Sequence, residues 1–484
     1  MSTPLLHKAY DGSLFQEEGN QLITLLSQHL NTVVPGTSDT VTQWKSPHEA
    51  LVFWRDALEH PVDTSTLFKT VLEHSIHVHH PKFVGHQIAP TVPISALATL
   101  LSAMLNNGMT VYEMGQASAP MEKVVIEWFT RAIGYTQGDG FLTSGGTLAN
   151  LTAMLAARKL KAPDDIWNEG SSTPLAIMVS EEAHYCIDRA ARIMGLGEQG
   201  IIKIPVDDHY AIRTDLLEDY YKKATAQGIT VIAIVGSAPS TSTGVYDDLE
   251  GIGAFAKAHN LWFHVDGAHG GAAIFSTTYK HILKGIDQAD SVIIDGHKMM
   301  ATSSITTAVL FKNSQDSYAT FSQKAQYLWE KNDDEEWYNI GKRTFECTKS
   351  MMSLRFYAII NSYGTAFFDD FVTTLYNLGK TMGVLLESDS AFELFLKPQS
   401  NIVCFRFVAG IPAKHYDQIN KKIRQHLLED GEFYIVSTQL KGAFWLRTTL
   451  MNPFTSDADL KQLLTKIKSI AKQQLTSIHR QQSN

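Results

Sequence analysis

Five short runs of almost unbroken apolar residues constrain this chain more than any other feature of it. They are Leu175–Ser180, Ile201–Pro205, Thr230–Gly236, Leu261–Asp266 and Ser291–Asp295. A strand with one face in water alternates polar and apolar side chains. A strand that is apolar along its whole length is covered on both faces, as in a mostly parallel sheet. Stretches at helical spacing, such as Thr147–Leu160 and Asp248–His259, lie between the runs. The pattern predicts an α/β fold, in which ligands sit beyond the carboxyl ends of the strands.

The flanks read differently. In Gln21–Leu30 the residues Leu22, Ile23, Leu25, Leu26 and Leu30 recur at helical spacing. So short a stripe needs a partner surface, from the main body or from another subunit. After about Leu378 an alternating run, Asn401–Val408, is followed by helical Ala413–Glu429 and by strand-like Phe433–Leu440 and Ala443–Leu450. A helix then starts near Ser456, with Asp459 placed to complete a capping box. The expected organisation is a helical N-terminal segment over 1–90, a large α/β domain over 91–377 and a small α+β domain over 378–484. A chain of 484 residues is long enough for about three such parts.

Composition narrows the function classes. The net charge of −9 argues against nucleic acid or an anionic membrane as the main partner. Cys186, Cys347 and Cys404 are too few and too scattered for a disulfide framework or a thiolate metal site, so no metal is expected. No apolar run approaches the ~18 residues that span a bilayer. A soluble cytoplasmic protein is the expectation.

Chemistry concentrates at the predicted strand ends. The run SVIIDGHKMM delivers Lys298 just past a strand, between apolar residues. A compact ammonium is costly to desolvate, and Schiff-base formation is a use that demands such a lysine. The run LWFHVDGAHGG brings Asp266 to the same sheet edge, where a buried carboxylate needs a cationic partner such as a protonated pyridine nitrogen. In TSGGTLAN, Gly145, Gly146 and Thr147 open a helix whose free N–H groups suit a phosphate. His184, in EEAHY, starts a further helix from which an imidazole can stack on a cofactor ring. Each feature alone has an ordinary structural explanation; together they describe a site for pyridoxal phosphate.

The four stretches TSGGTLAN, EEAHY, HVDGAHGG and DGHKMM occur in one order, and in them the chain resembles the group II pyridoxal-phosphate-dependent amino-acid decarboxylases from about Pro81 to Pro453. That family includes glutamate, aromatic amino-acid and 2,4-diaminobutyrate decarboxylases. The resemblance implies the fold type I transferase architecture and a homodimer whose sites lie between subunits. It implies that Lys298 carries the cofactor, Asp266 meets its ring nitrogen, His184 stacks on the ring and Ala268 packs on the other face. Gly146, Thr147 and His297 match further cofactor contacts. Thr241 matches a family hydroxyl near the ring, although SAPSTSTGVYDD departs from the usual Gly-Thr-Thr. Tyr327, ahead of the charged run Glu330–Glu336, matches a loop tyrosine that protonates the substrate α-carbon, and Arg447 matches an arginine that grips the substrate carboxylate.

The stretch PKFVGHQIAP corresponds to a substrate-facing segment of the family, with His86 and Gln87 where the aromatic enzymes carry aromatic residues. Its Gly-His start is more like the diaminobutyrate branch, and Asp295 and Glu113 are acids that could attract an ω-amine. Tyr112 and Met114 correspond to residues reaching a neighbouring subunit's site. The expectation is decarboxylation of a small ω-amino acid such as L-2,4-diaminobutyrate. The alternatives are an acidic amino acid (glutamate, aspartate, cysteine sulfinate), an aminotransferase or aldolase of the same fold, and a non-catalytic homologue.

Overall fold

The computed structural model describes residues 3–321 and 336–482. The chain divides into two compact units. One comprises residues 87–380 and 396–403; the other comprises 1–86, 381–395 and 404–484. The N-terminal helical segment thus groups with the C-terminal residues.

The first unit is built on a seven-stranded sheet: β1 (Asp139–Thr143), β2 (Leu175–Ser180), β3 (Ile201–Ile204), β4 (Thr230–Ser237), β5 (Trp262–Asp266), β6 (Ser291–Asp295) and β7 (Thr307–Phe311), in the order β1-β7-β6-β5-β4-β2-β3. All five predicted strands are present, and β3-β2-β4-β5-β6 pair in parallel. Every residue of β2, β5 and β6 is buried, as a sheet covered on both faces requires. The two strands the apolar pattern did not reveal, β1 and β7, pair antiparallel with each other, and β7 pairs antiparallel with β6.

Helix Gly146–Lys161 lies on this sheet through Ala149, Ala153, Ala156 and Ala157, all buried. Methyl side chains allow close approach, and the helix packs with β2 residues Ile177 and Val179 and with Cys186 and Ile187 of helix Tyr185–Ile193 in one apolar core. Parallel strands align their carboxyl ends: Ser237 of β4 lies opposite Asp266 of β5 in register, and β6 ends nearby at Asp295.

The second unit carries most of a four-stranded sheet, in the order β10-β11-β9-β8: β8 (Phe392–Leu394), β9 (Ile402–Phe407), β10 (Val436–Leu440) and β11 (Ala443–Thr449), in which β10 pairs antiparallel with β11 and β8 with β9. Helices Tyr416–Asp430 and Asp457–Gln482 contribute buried Ile423, Leu427, Leu463 and Ile467 to its core. The capping box at Ser456 is formed: the Asp459 carboxylate accepts the Ser456 N–H at 2.8 Å, and the Ser456 hydroxyl accepts the Asp459 N–H at 3.2 Å. No helix among the described residues is long and apolar enough to cross a membrane.

Candidate active site

A cavity of about 300 Å³ opens at the carboxyl ends of β4, β5 and β6. It is lined by Gly146, Thr147, His184, Thr241, Asp266, Ala268, His297 and Lys298. These are all the residues the sequence assigns to the cofactor, brought from five separate stretches of chain to one place.

Lys298 follows β6 by three residues, in a turn closed by its N–H to the Asp295 carbonyl. Its ammonium lies 3.0 Å from a carboxylate oxygen of Asp295, which is 2% exposed. Burial pushes this ammonium toward neutrality, but the ion pair with Asp295 outweighs it and raises the Lys298 pKa. Asp295 also accepts the Thr307 hydroxyl at 2.5 Å. This acid is therefore engaged inside the cavity by Lys298 and Thr307, while Glu113 is exposed.

Asp266 ends β5 in a different setting. One carboxylate oxygen accepts the Asn150 amide at 3.0 Å and the other the Ala268 N–H at 3.2 Å. Among the described residues no lysine or arginine forms an ion pair with it. A cationic ring nitrogen would supply the opposite charge that a carboxylate 8% exposed needs.

His184 is the N-cap of helix Tyr185–Ile193, accepting the Cys186 N–H through Nδ1 at 3.4 Å. Burial lowers its pKa, with Asp266 pulling the other way and Lys298 adding to the depression. The neutral ring keeps its proton on Nε2. His297 is held through Nδ1, 3.0 Å from the Thr306 carbonyl oxygen.

The lining fits pyridoxal phosphate. Helix Gly146–Lys161 begins at the cavity with free N–H groups, and Gly145 has φ +95°, a conformation that glycine adopts freely. A Cβ on Gly146 would meet both Asp295 carboxylate oxygens, at 3.1 and 3.2 Å, so the side of the cradle must stay bare. An amine, a carboxylate and an anion-binding helix start share one cavity.

Arg447, His86 and Gln87 are not among the residues that line this cavity. Arg447 is buried on β11, opposite Val436. It belongs to the second unit, as does His86, whose ring is 5.6 Å from that of Tyr434. Gln87 begins the first unit; two residues on, the Ala89 N–H donates to the His297 carbonyl at 3.4 Å. The Gln87 Nε2 is buried with no hydrogen-bond partner among the described residues. Tyr327 lies outside the described residues; Glu336, the last of its charged run, is buried and paired with Lys342 at 2.6 Å.

Sequence reasoning passed over Asn150, Cys186, Ser237, Ser240 and His269, which also line the cavity. Asn150 could have been found: it follows Thr147 by one helical turn and so shares its face.

The pyridoxal-dependent decarboxylase conserved domain matches residues 61–408. The chain is 28% identical over 419 residues to an L-2,4-diaminobutyrate decarboxylase of Acinetobacter baumannii, across 83% of this chain and 82% of that one. It is 28% identical over 457 residues to an aspartate 1-decarboxylase of Aliivibrio fischeri, across 84% and 82%. It is 25% identical over 460 residues to the mouse cysteine sulfinic acid decarboxylase, across 90% and 92%. The crystal structure of mouse CSAD in apo form superposes with a TM-score of 0.87 at 24% identity, over 95% of this chain and 99% of that one.

Proposed function

This chain belongs to the pyridoxal-dependent decarboxylase family, and from that premise we propose that its substrate is a small L-amino acid with an acidic ω group, of the size of aspartate, cysteine sulfinate or glutamate. It is a carboxy-lyase that uses pyridoxal phosphate. The finer reading is carried by Gln87, whose buried Nε2 lacks an acceptor among the described residues, in a segment tied to His297. Such a donor costs about 1–3 kcal/mol while unmet, and an ω-carboxylate or sulfinate would meet it. Relatives acting on aspartate and cysteine sulfinate support the same class. An ω-amine finds less: Asp295 is engaged with Lys298, and Glu113 is exposed. L-2,4-diaminobutyrate remains the second reading, favoured by the Gly-His start of the Gln87 segment and by the Acinetobacter relative.

When bound, the cofactor supplies the electron sink for the pair left behind as carbon dioxide departs. Lys298 would hold its aldehyde carbon, Asp266 its ring nitrogen, and Gly146 and Thr147 its phosphate, with Ala268, His297 and Thr241 completing the cradle. His184, neutral because buried, would press on the ring without placing a full positive charge beside the leaving carboxylate, whose loss is eased by poor solvation. From the sequence, Arg447 would grip a substrate carboxylate through its bidentate fork. From the sequence, Tyr327 would return the proton to Cα.

The test is carbon-dioxide release from single L-amino acids by wild type and Gln87→Leu. We expect an acidic amino acid to give the highest kcat/KM, and Gln87→Leu to raise its KM roughly tenfold with kcat nearly kept, since the contact serves binding throughout. A diaminobutyrate kcat/KM above every acidic substrate overturns the reading.

A homodimer is part of the proposal. Helix Pro93–Leu105 leaves Leu97, Leu100, Leu101, Met104 and Leu105 between 45 and 64% exposed, a contiguous apolar patch that a two-fold partner would cover. Light scattering should give twice the 53.8 kDa chain mass, and Leu101→Glu should shift it toward the monomer. A wild-type monomer removes the dimer.

A further inference from the structure

We propose that Trp262, Ser291, His264 and Asn150 are positioning residues, forming a one-way hydrogen-bond relay that fixes Asp266 for the cofactor's ring nitrogen. The direction follows from the chemistry of each link. An indole N–H can only donate, and that of Trp262 reaches the Ser291 oxygen at 2.8 Å. The Ser291 proton is then free to go to Nδ1 of His264, 2.8 Å away. A neutral imidazole accepting at Nδ1 carries its hydrogen on Nε2, which lies 2.8 Å from the Asn150 carbonyl oxygen. That fixes the Asn150 amide so that its nitrogen donates to Asp266 Oδ2 at 3.0 Å and to the Cys186 sulfur at 3.1 Å. The Ala268 N–H takes the other oxygen of Asp266. Reversing the chain would set the Asn150 oxygen against an Asp266 oxygen, acceptor against acceptor.

The relay is costly to build for packing alone. Asn150 is 1% exposed, Trp262 2%, and His264 and Ser291 are fully buried, positions where apolar side chains would need no partners. Buried polar chains of this kind hold only when every member is satisfied, and each bond polarises the next. Burial pushes the His264 pKa down to about 4, so the ring stays neutral at working pH and the direction of donation persists. Of the relay's members, only Asn150 lines the cavity, and the residue it ends on is Asp266. Its function is to lock the rotation of that carboxylate and set its strength as an acceptor.

The experiment reads cofactor binding without substrate, so its outcome stands apart from the substrate proposal. Apoprotein of wild type, Asn150→Leu, His264→Met and His264→Gln is titrated with pyridoxal phosphate, and the visible absorbance of each holoenzyme is followed against pH. Leu keeps the shape of Asn without its donor; Gln can place an amide nitrogen where Nε2 stood, and Met cannot. Asn150→Leu and His264→Met should weaken cofactor binding about tenfold, the size of one hydrogen bond at about 1.4 kcal/mol. They should also move the spectral midpoint by about one pH unit, with His264→Gln recovering most of both. Asn150→Leu with wild-type affinity and midpoint overturns the relay, as do His264→Met and His264→Gln that behave alike. If Asn150→Leu does not fold, Ser291→Ala deletes one oxygen only; it should weaken cofactor binding about threefold, and an unchanged titration overturns the proposal.

Discussion

Two aspartates end adjacent parallel strands and line one cavity, yet they hold opposite positions in its chemistry. Asp295, at the end of β6, is 3.0 Å from the Lys298 ammonium and accepts the Thr307 hydroxyl. Asp266, at the end of β5, is met by an amide and a backbone N–H, both neutral. The same side chain at the same sheet edge is thus paired with a cation in one case and hydrogen-bonded by neutral donors in the other. A carboxylate's partners, more than its position, decide whether it serves the protein or the cofactor.

The largest break in that comparison should come from Asp266→Asn. If Asp266 meets the ring nitrogen, neutralising it removes a preorganised charge at the electron sink and should lower kcat roughly a thousandfold, about 4 kcal/mol. A loss under tenfold, measured by carbon-dioxide release with saturating cofactor, would make the two aspartates equivalent.

The next effect sharpens the Asp266 side through pH. His264 is pushed down to about 4 from an ordinary 6.5, so as pH falls the unfolded chain takes up a proton before the folded one does. The associated stability is complete above about pH 6.5 and is lost progressively toward pH 4, about 3 kcal/mol over the window. Denaturant unfolding of wild type should show that slope, and His264→Gln should lack this share of it. Equal slopes would mean that His264 titrates normally.

Asp295→Asn should have the smallest effect, and in the opposite sense. Removing the partner that raises the Lys298 pKa lets burial pull it down, leaving more neutral amine at pH 7. Cofactor incorporation into apoprotein, followed by absorbance, should speed up severalfold, because the neutral amine is the form that reacts. A slower rate would place Asp295 on the cofactor's side of the comparison.

Much of this arrangement was legible before any coordinates. The apolar runs located five strands, and Lys298, Asp266, Gly146 and His184 stood out because strand ends and glycine-opened helices are where such residues do chemistry. Asn150 and His264 were in plain view within TSGGTLAN and HVDGAHGG but carried no signal, since a buried amide or imidazole has meaning only through the atoms it faces. The ion pair of Asp295 was hidden for the same reason. An acid three residues before a lysine could reach solvent, substrate or that lysine, and spacing does not choose among them.

The sequence by itself determined the alternation of buried strands and helices, and with it the sheet edge where reactive groups gather, because hydrophobic periodicity is a local property. Only the tertiary structure decided which carboxylate takes the lysine, which way the Trp262–Asp266 chain donates and which amide has no acceptor among the described residues. Those outcomes depend on distances of about 3 Å between residues far apart in the chain, and a hydrogen bond is sensitive to little else.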